Sequence, residues 1–177
     1  MNYKTKNIYI IGPMGVGKSS FGSRLAKRLK REFIDTDHEV SSRSGVDLSW
    51  IFAQEGEEGF RNRETQLITE LSEQQNLVVS TGGGSIVKAA NRKIIKATGS
   101  VIYLTIDFEE QFARATRRTD TRPLLETDDQ RAQLLKLNAE REKWYQQLAN
   151  FTFRTDQMPI HRLVAQVLDS LERSTAK

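Results

Sequence analysis

"IYIIGPMGVGKSS", residues 8–20, decides how this chain is read. Ile8 to Ile11 is a short apolar run, the pattern of a strand buried on both faces. Gly12, Gly15 and Gly17 interrupt it, and Lys18 and Ser19 follow just before helical spacing begins. Gly12 to Ser19 matches G-x-x-x-x-G-K-[ST] at every fixed position. Glycines at these positions let successive backbone N–H groups turn toward one anion, and the next helix adds its positive N-terminal end. Lys18 brings a mobile charge for β- and γ-phosphates, and the Ser19 hydroxyl is a ligand for Mg²⁺. Gly15, Val16, Gly17, Lys18, Ser19 and Ser20 are therefore expected around the phosphates of a nucleotide.

Outward from this loop the pattern alternates. A helix is expected over 19–30, with Phe21, Leu25 and Leu29 on one face, followed by a brief strand over 33–35. From Glu39 to Gln74 the signal is helical but broken by glycines at 45, 56 and 59. "NLVVS" (76–80), "SVIYLT" (100–105) and "NFTFRT" (150–155) read as further strands. Helices are expected from about Asp107 and over 128–148. Ile160, Leu163, Val164, Val167, Leu168 and Leu171 give the C-terminal helix a clear apolar face. Strands alternating with helices predict an α/β three-layer sandwich, a central parallel five-stranded sheet flanked by helices. No repeat or linker divides the chain, so residues 1–177 read as a single domain.

Composition narrows the chemistry. There is no cysteine, which excludes disulfides and thiolate metal sites, and His38 and His161 do not have zinc-site spacing. Any metal is expected to be a hard cation held by oxygens. The net charge is +4, with basic residues scattered and mostly answered by nearby acids. A nucleic-acid binder would concentrate them in a stripe, so nucleic acid is not an expected partner. The run Ile8 to Ile11 is too short for a signal peptide or a membrane span, and no later stretch does better. The chain reads as cytoplasmic, away from membranes.

Three further stretches supply an acceptor site. "FIDTDHEV" puts Asp35 and Asp37 two residues apart at the end of the second strand, where ligands of open α/β sheets bind. If the segment is extended, both carboxylates point the same way, one toward Mg²⁺ and one toward an acceptor hydroxyl. A turn capping the next helix is the plainer alternative. "LVVSTGGGS" ends a strand in Gly82, Gly83 and Gly84, where a ring could approach the backbone closely, or where a strand simply turns into a helix. Arg61 and Arg63 lie among Glu57, Glu58 and Glu64, and Arg141 lies between Glu140 and Glu142, so surface ion pairing is open for all three. Asp107 ends an apolar strand as a magnesium-side carboxylate would, but it also precedes "FEEQF" as a helix cap, and the cap is preferred.

Taken in order, "GPMGVGKSS", "FIDTDHEV", "EGEEGFRNRE", "STGGGS", "TRPLL" and "AEREKWY" resemble the shikimate kinase family over nearly the full chain. The resemblance implies a phosphate-loop NTPase fold of the nucleoside-monophosphate-kinase type, with a substrate-binding segment about 33–61 and a lid about 112–125. It implies transfer of the γ-phosphate of ATP to the 3-hydroxyl of shikimate, in the chorismate pathway to aromatic amino acids. By similarity, Asp37 would position or deprotonate the attacking hydroxyl, with Lys18 and Arg122 also at the reaction centre. Arg61 and Arg141 would grip the substrate carboxylate, and Gly83 with Gly82 and Gly84 would contact the ring. Asp35 would support Mg²⁺ beside Ser19. Arg122 would reach the transferring phosphate, and Arg114 resembles the adenine-stacking arginine, with Arg117 and Arg118 as competing candidates. Gln157 is expected near the adenine.

The rivals are a small-metabolite kinase of the same fold, such as gluconate kinase, and a nucleotide-gated binding module that transfers nothing. The latter predicts loss of the acceptor carboxylate or the arginines, and all are present. A monomer is expected, since no apolar strip is left over for an interface.

Overall fold

The computed structural model describes residues 5–117, 123–125 and 127–175. Five strands, β1 (Asn7–Ile11), β2 (Glu32–Asp35), β3 (Leu77–Ser80), β4 (Gly99–Thr105) and β5 (Phe151–Arg154), form one sheet in the order β2-β3-β1-β4-β5. Every pairing is parallel, with Tyr9 opposite Val79 on one side and Val101 on the other. Between the strands run α1 (Lys18–Leu29), α2 (Thr36–Ser44), α3 (Leu48–Ser72), α4 (Ala89–Thr98), α5 (Phe108–Arg117) and α6 (Gln130–Leu148); α7 (Ile160–Thr175) closes the chain.

Alternation along the central strands sorts the core into two layers. Ile8, Ile10, Val78, Ile102 and Leu104 pack against Phe21 and Leu25 of α1 and Leu163, Val164, Val167 and Leu171 of α7. Tyr9, Ile11, Val79, Val101 and Tyr103 face the other way, onto α3, α4 and α6. Each fully buried aliphatic side chain contributes roughly 1.5–3 kcal/mol, so the apolar stripe read in α7 suffices to dock that helix. Asn7 is a buried polar exception with its bonds satisfied. Its side chain donates to the carbonyls of Leu71 and Gln74 and accepts from the N–H of Leu77, tying the end of α3 to the start of β3.

The strand order sets the place of the site. The chain leaves β1 toward the α1 face and leaves β3 toward the α4 face. Adjacent strands whose connections diverge open a crevice at their carboxyl ends, where ligands of such sheets bind. The glycine loops after β1 and β3 both lie there.

Of the three expected helix breaks, two occur. Gly45 ends α2 in the left-handed region, and Gly56 (φ 69°, ψ −178°) kinks α3. Gly59 stays inside α3, where the Glu55 side chain lies across it. Helix α4 was not expected; its sequence AANRKIIKAT has Ile95 as its only buried aliphatic side chain, too little for a periodic signal. Asp107 behaves as the helix cap preferred from sequence, its carboxylate accepting from the N–H of Glu109 at 2.9 Å.

Candidate active site

Backbone geometry builds the first wall. Gly12, Gly15 and Gly17 have φ of 144°, 81° and 95°, values closed to most side chains, and a Cβ on Gly12 would overlap the carbonyl of Leu104. The loop therefore curls tightly and hands over to α1 at Lys18, whose first helical bond runs from Phe21 N to Gly17 O. The turn ahead of that bond, Ser19 and Ser20 included, opens on a cleft of about 1110 Å³. The positive end of a helix at such a place suits an anion. Lys18 Nζ arches back over the loop, donating to the carbonyls of Gly12 and Pro13 at 2.8 and 2.9 Å.

The second wall corrects the geometry expected for "FIDTDHEV". Strand β2 stops at Asp35 and α2 begins at Thr36, so Asp37 sits in the first turn of a helix and not in an extended segment. Asp35 has two jobs at once. Its Oδ1 caps α2 by accepting from the N–H groups of Asp37 and His38, while its Oδ2 accepts from Ser19 Oγ at 2.6 Å. The alternatives of cap and cation-side carboxylate are thus compatible, since the cap occupies one oxygen and the other faces Ser19.

Asp37 lines the cleft together with Lys18 and Arg61, whose charges both act on it. Its carboxyl is pushed up to about 7 by burial foremost, then by the Glu64 and Asp35 carboxylates, against the pull of Lys18 and Arg61. A carboxyl poised there can accept a proton at neutral pH.

The three glycines of "STGGGS" each face a different part of the site. A Cβ on Gly82 would overlap the Asp37 carboxylate and lie 2.6 Å from Glu64 Oε1. One on Gly84 would overlap the Arg61 guanidinium, and one on Gly83 would stand 3.3 Å from the N atom of Met14 in the phosphate loop. The absence of side chains is what lets the loop fit between all of them.

The arginines separate cleanly. Arg61 is 5% exposed and faces the cleft, whereas Arg63 lies at the surface, paired with Glu55. Arg61 is held from two sides, Nη1 by Glu64 at 2.8 Å and Nη2 by Glu57 at 3.1 Å. Arg141 is 6% exposed on α6 and also lines the cleft, and its Nε is buried without a hydrogen-bond partner among the described residues. Such a nitrogen awaits an acceptor.

Arg114 and Arg117 of α5, Thr155 and Met158 also line the cleft. Arg114 pairs with Glu110 at 3.3 Å. Gln157 is exposed beside this wall, which Thr155 and Met158 form. Arg118 and Arg122 lie outside the described residues, as do all of residues 118–122 of the segment expected as a lid.

Two residues of the site were not singled out from sequence. Glu64 is fully buried, binding Arg61 and accepting from Ser85 Oγ. Its signal was its place three residues after Arg61 on one helix, which ordinarily means only a surface pair. Tyr145, one turn after Arg141, is buried and donates its hydroxyl to the carbonyl of Gly83 at 2.5 Å.

A parallel sheet with a phosphate loop after its central strand, facing a carboxylate and two arginines across one cleft, defines a phosphate-loop kinase of small anionic metabolites. The model of the family described as "Shikimate kinase" matches residues 14–172. A shikimate kinase of Legionella pneumophila is 45% identical over 168 residues, 95% of each chain. The structure of a shikimate kinase from Acinetobacter baumannii in complex with shikimate superposes with a TM-score of 0.92 at 41% identity, covering 97% of this chain and 96% of that one. The chain belongs to the shikimate kinase family. A gluconokinase from Sinorhizobium meliloti 1021 superposes with a TM-score of 0.59 at 17% identity and shares the fold alone.

Proposed function

We propose that the chain transfers the γ-phosphate of ATP to the 3-hydroxyl of shikimate, giving shikimate 3-phosphate and ADP on the route to chorismate and the aromatic amino acids. The observation that carries this reading is the position of Asp37, in one cleft with the Lys18 phosphate loop and the Arg61–Arg141 pair.

Each group then has a role. Gly15 to Ser20 hold the phosphates through backbone N–H groups, and Lys18 exchanges its loop carbonyls for the β- and γ-phosphates. Arg61 and Arg141 grip the acceptor carboxylate, a task suited to guanidinium forks, and Gly82 to Gly84 let the ring lie close to the backbone. Asp37 accepts a hydrogen bond, and then the proton, from the attacking hydroxyl. Arg122 and Arg114 are assigned by the family pattern to the transferring phosphate and the adenine, with Gln157 near the latter.

The donor set also fits Mg²⁺. Ser19 Oγ and Asp35 Oδ2 are hard oxygens 2.6 Å apart at the mouth of the phosphate loop. Among the described residues no cluster of three acidic or histidine side chains could hold a metal unaided, which suits an ion whose remaining oxygens come from nucleotide and water. When bound, Mg²⁺ would neutralise charge developing on the phosphate oxygens.

A cytoplasmic monomer is the accompanying inference. Among the described residues no helix is long and apolar enough to cross a membrane. Among the described residues the exposed large apolar side chains are Trp50, Val87 and Leu135, on three separate elements, which supports a monomer.

The test is Mg²⁺-dependent ADP formation from ATP with shikimate, with gluconate, or with no acceptor. Formation with shikimate alone is expected. Preference for gluconate would keep the fold and overturn the substrate. Equal formation without acceptor would make the chain a hydrolase, and none at all would favour the binding module.

A further inference from the structure

Tyr145 joins the two parts of the acceptor site that lie farthest apart in sequence. It follows Arg141 by one turn of α6, so both side chains leave the same helix face. The Tyr145 hydroxyl donates to Gly83 O at 2.5 Å, and that hydroxyl is also in the reach of the Arg141 guanidinium. Its ring stacks on Tyr103 of β4 at 5.1 Å between centroids and 18° between planes. The Tyr103 hydroxyl in turn donates to Glu142, the neighbour of Arg141, at 2.6 Å. Helix α6 is thereby locked to the sheet at the level of the site.

The Gly83 carbonyl is the informative partner. A trans peptide points its C=O and the following N–H in opposite directions, and none of the described peptides is cis. A carbonyl held by Tyr145 therefore turns the Gly84 N–H away from α6. That N–H takes no part in the turn's backbone bonds, which run from Ser85 N to Gly82 O and from Val87 N to Gly84 O. The glycine backbone is otherwise free to rotate its peptides at little cost, so an anchor is needed. Packing alone does not ask for a hydroxyl here. A phenylalanine would fill the same buried space, whereas a buried hydroxyl is kept where it has partners.

We propose that Tyr145 is a positioning residue for acceptor binding, its hydroxyl holding the Gly83 peptide and the Arg141 guanidinium in one fixed arrangement toward the acceptor carboxylate. Burial pushes this phenol well above the ordinary tyrosine range, although Arg141 and Arg61 pull the other way, so it remains a donor across the physiological range. The inference rests on the acceptor reading above.

The experiment compares the wild-type chain with Tyr145→Phe and Tyr103→Phe, each of which keeps its ring in the stack. Turnover of shikimate by the wild type is measured first and tests the acceptor reading on its own. Tyr145→Phe is expected to raise the KM for shikimate roughly tenfold, the loss of a hydrogen bond and of a fixed arginine. The KM for ATP should stay at the wild-type value. Tyr103→Phe, which loses only the Glu142 contact, should leave the shikimate KM unchanged. A Tyr145→Phe enzyme with lowered melting temperature but unchanged shikimate KM would make the residue merely structural and overturn the proposal. Equal KM increases in both variants, or a parallel rise in the KM for ATP, would overturn it too, pointing to a general loosening of α6.

Discussion

The Ser19 hydroxyl donates a 2.6 Å hydrogen bond to the Asp35 carboxylate, joining the first turn of α1 to the end of β2 across the mouth of the cleft. Asp35→Asn keeps a good helix cap for α2 but loses the charge offered beside Ser19. Partners of this kind change metal affinity or activity by about 10–100-fold. The expected outcome is a rise in the Mg²⁺ concentration giving half-maximal rate, with little change in melting temperature. A Mg²⁺ titration of turnover checks it; an unchanged half-saturation point would leave Asp35 a cap only.

Asp37 is expected to make activity and stability respond to pH in opposite directions. Its carboxyl titrates at about 7 in the folded chain against an ordinary value of 3.8. Between those values the folded chain holds a proton that the unfolded chain has released, so this group's contribution falls as pH rises through the window. Activity should instead climb toward pH 7 as the base ionises. Asp37→Asn should therefore be more stable than wild type above pH 7, with the advantage fading toward pH 4. Melting curves of both proteins from pH 4 to 8 test this; a constant offset would contradict it.

Arg61 is shared between an exposed and a buried carboxylate, and the two should behave differently. An acceptor carboxylate approaching Arg61 meets Glu57 already on its Nε and Nη2 at 3.3 and 3.1 Å. Half-exposed pairs contribute only about 0–1 kcal/mol, so Glu57→Gln should leave folding intact and lower the shikimate KM by up to about fivefold. Breaking a buried pair costs about 3–5 kcal/mol, so Glu64→Gln should lower the melting temperature and raise the shikimate KM. Steady-state kinetics beside thermal melts separates them. A rise in KM in Glu57→Gln would mean that Glu57 supports Arg61 and does not compete for it.

Gly84→Ala tests the close approach at the glycine loop. The added methyl would collide with the Arg61 guanidinium, the movable end of a long side chain, so the fold should survive while the arginine is displaced. The shikimate KM is expected to rise at least about tenfold, on the scale of one lost charged hydrogen bond, with the KM for ATP unaffected. A wild-type KM for shikimate would show that Arg61 need not sit where it does.

Much of this architecture was legible because it depends on local pattern. A phosphate loop announces itself through glycines whose positive φ values few other residues tolerate, and the α7 stripe through Leu163, Val164, Val167 and Leu171. What stayed hidden depends on contacts distant in the chain. "FIDTD" fits both an extended run and a cap before the next helix, and only the fold shows that Asp35 caps a helix starting at the next residue. Arg61 and Arg63 have the same acidic surroundings in the sequence, so only the family resemblance favours Arg61; the packing of α3 then sends Arg61 to the cleft and Arg63 to Glu55. Glu64 resembles any acid three residues from an arginine until burial removes its water. Tyr145 meets Gly83 across 62 positions, a pairing no spacing rule anticipates.

The central claim is that Asp37 acts on the acceptor and not on the nucleotide. Its most direct test is Asp37→Asn, with shikimate-dependent ADP formation and ATP affinity measured on the same preparation. Loss of a positioned general base typically costs about 10²–10⁴-fold in rate, so turnover should fall by that range while ATP affinity stays near wild type. An equal loss of both, or a turnover that survives the substitution, would contradict the account.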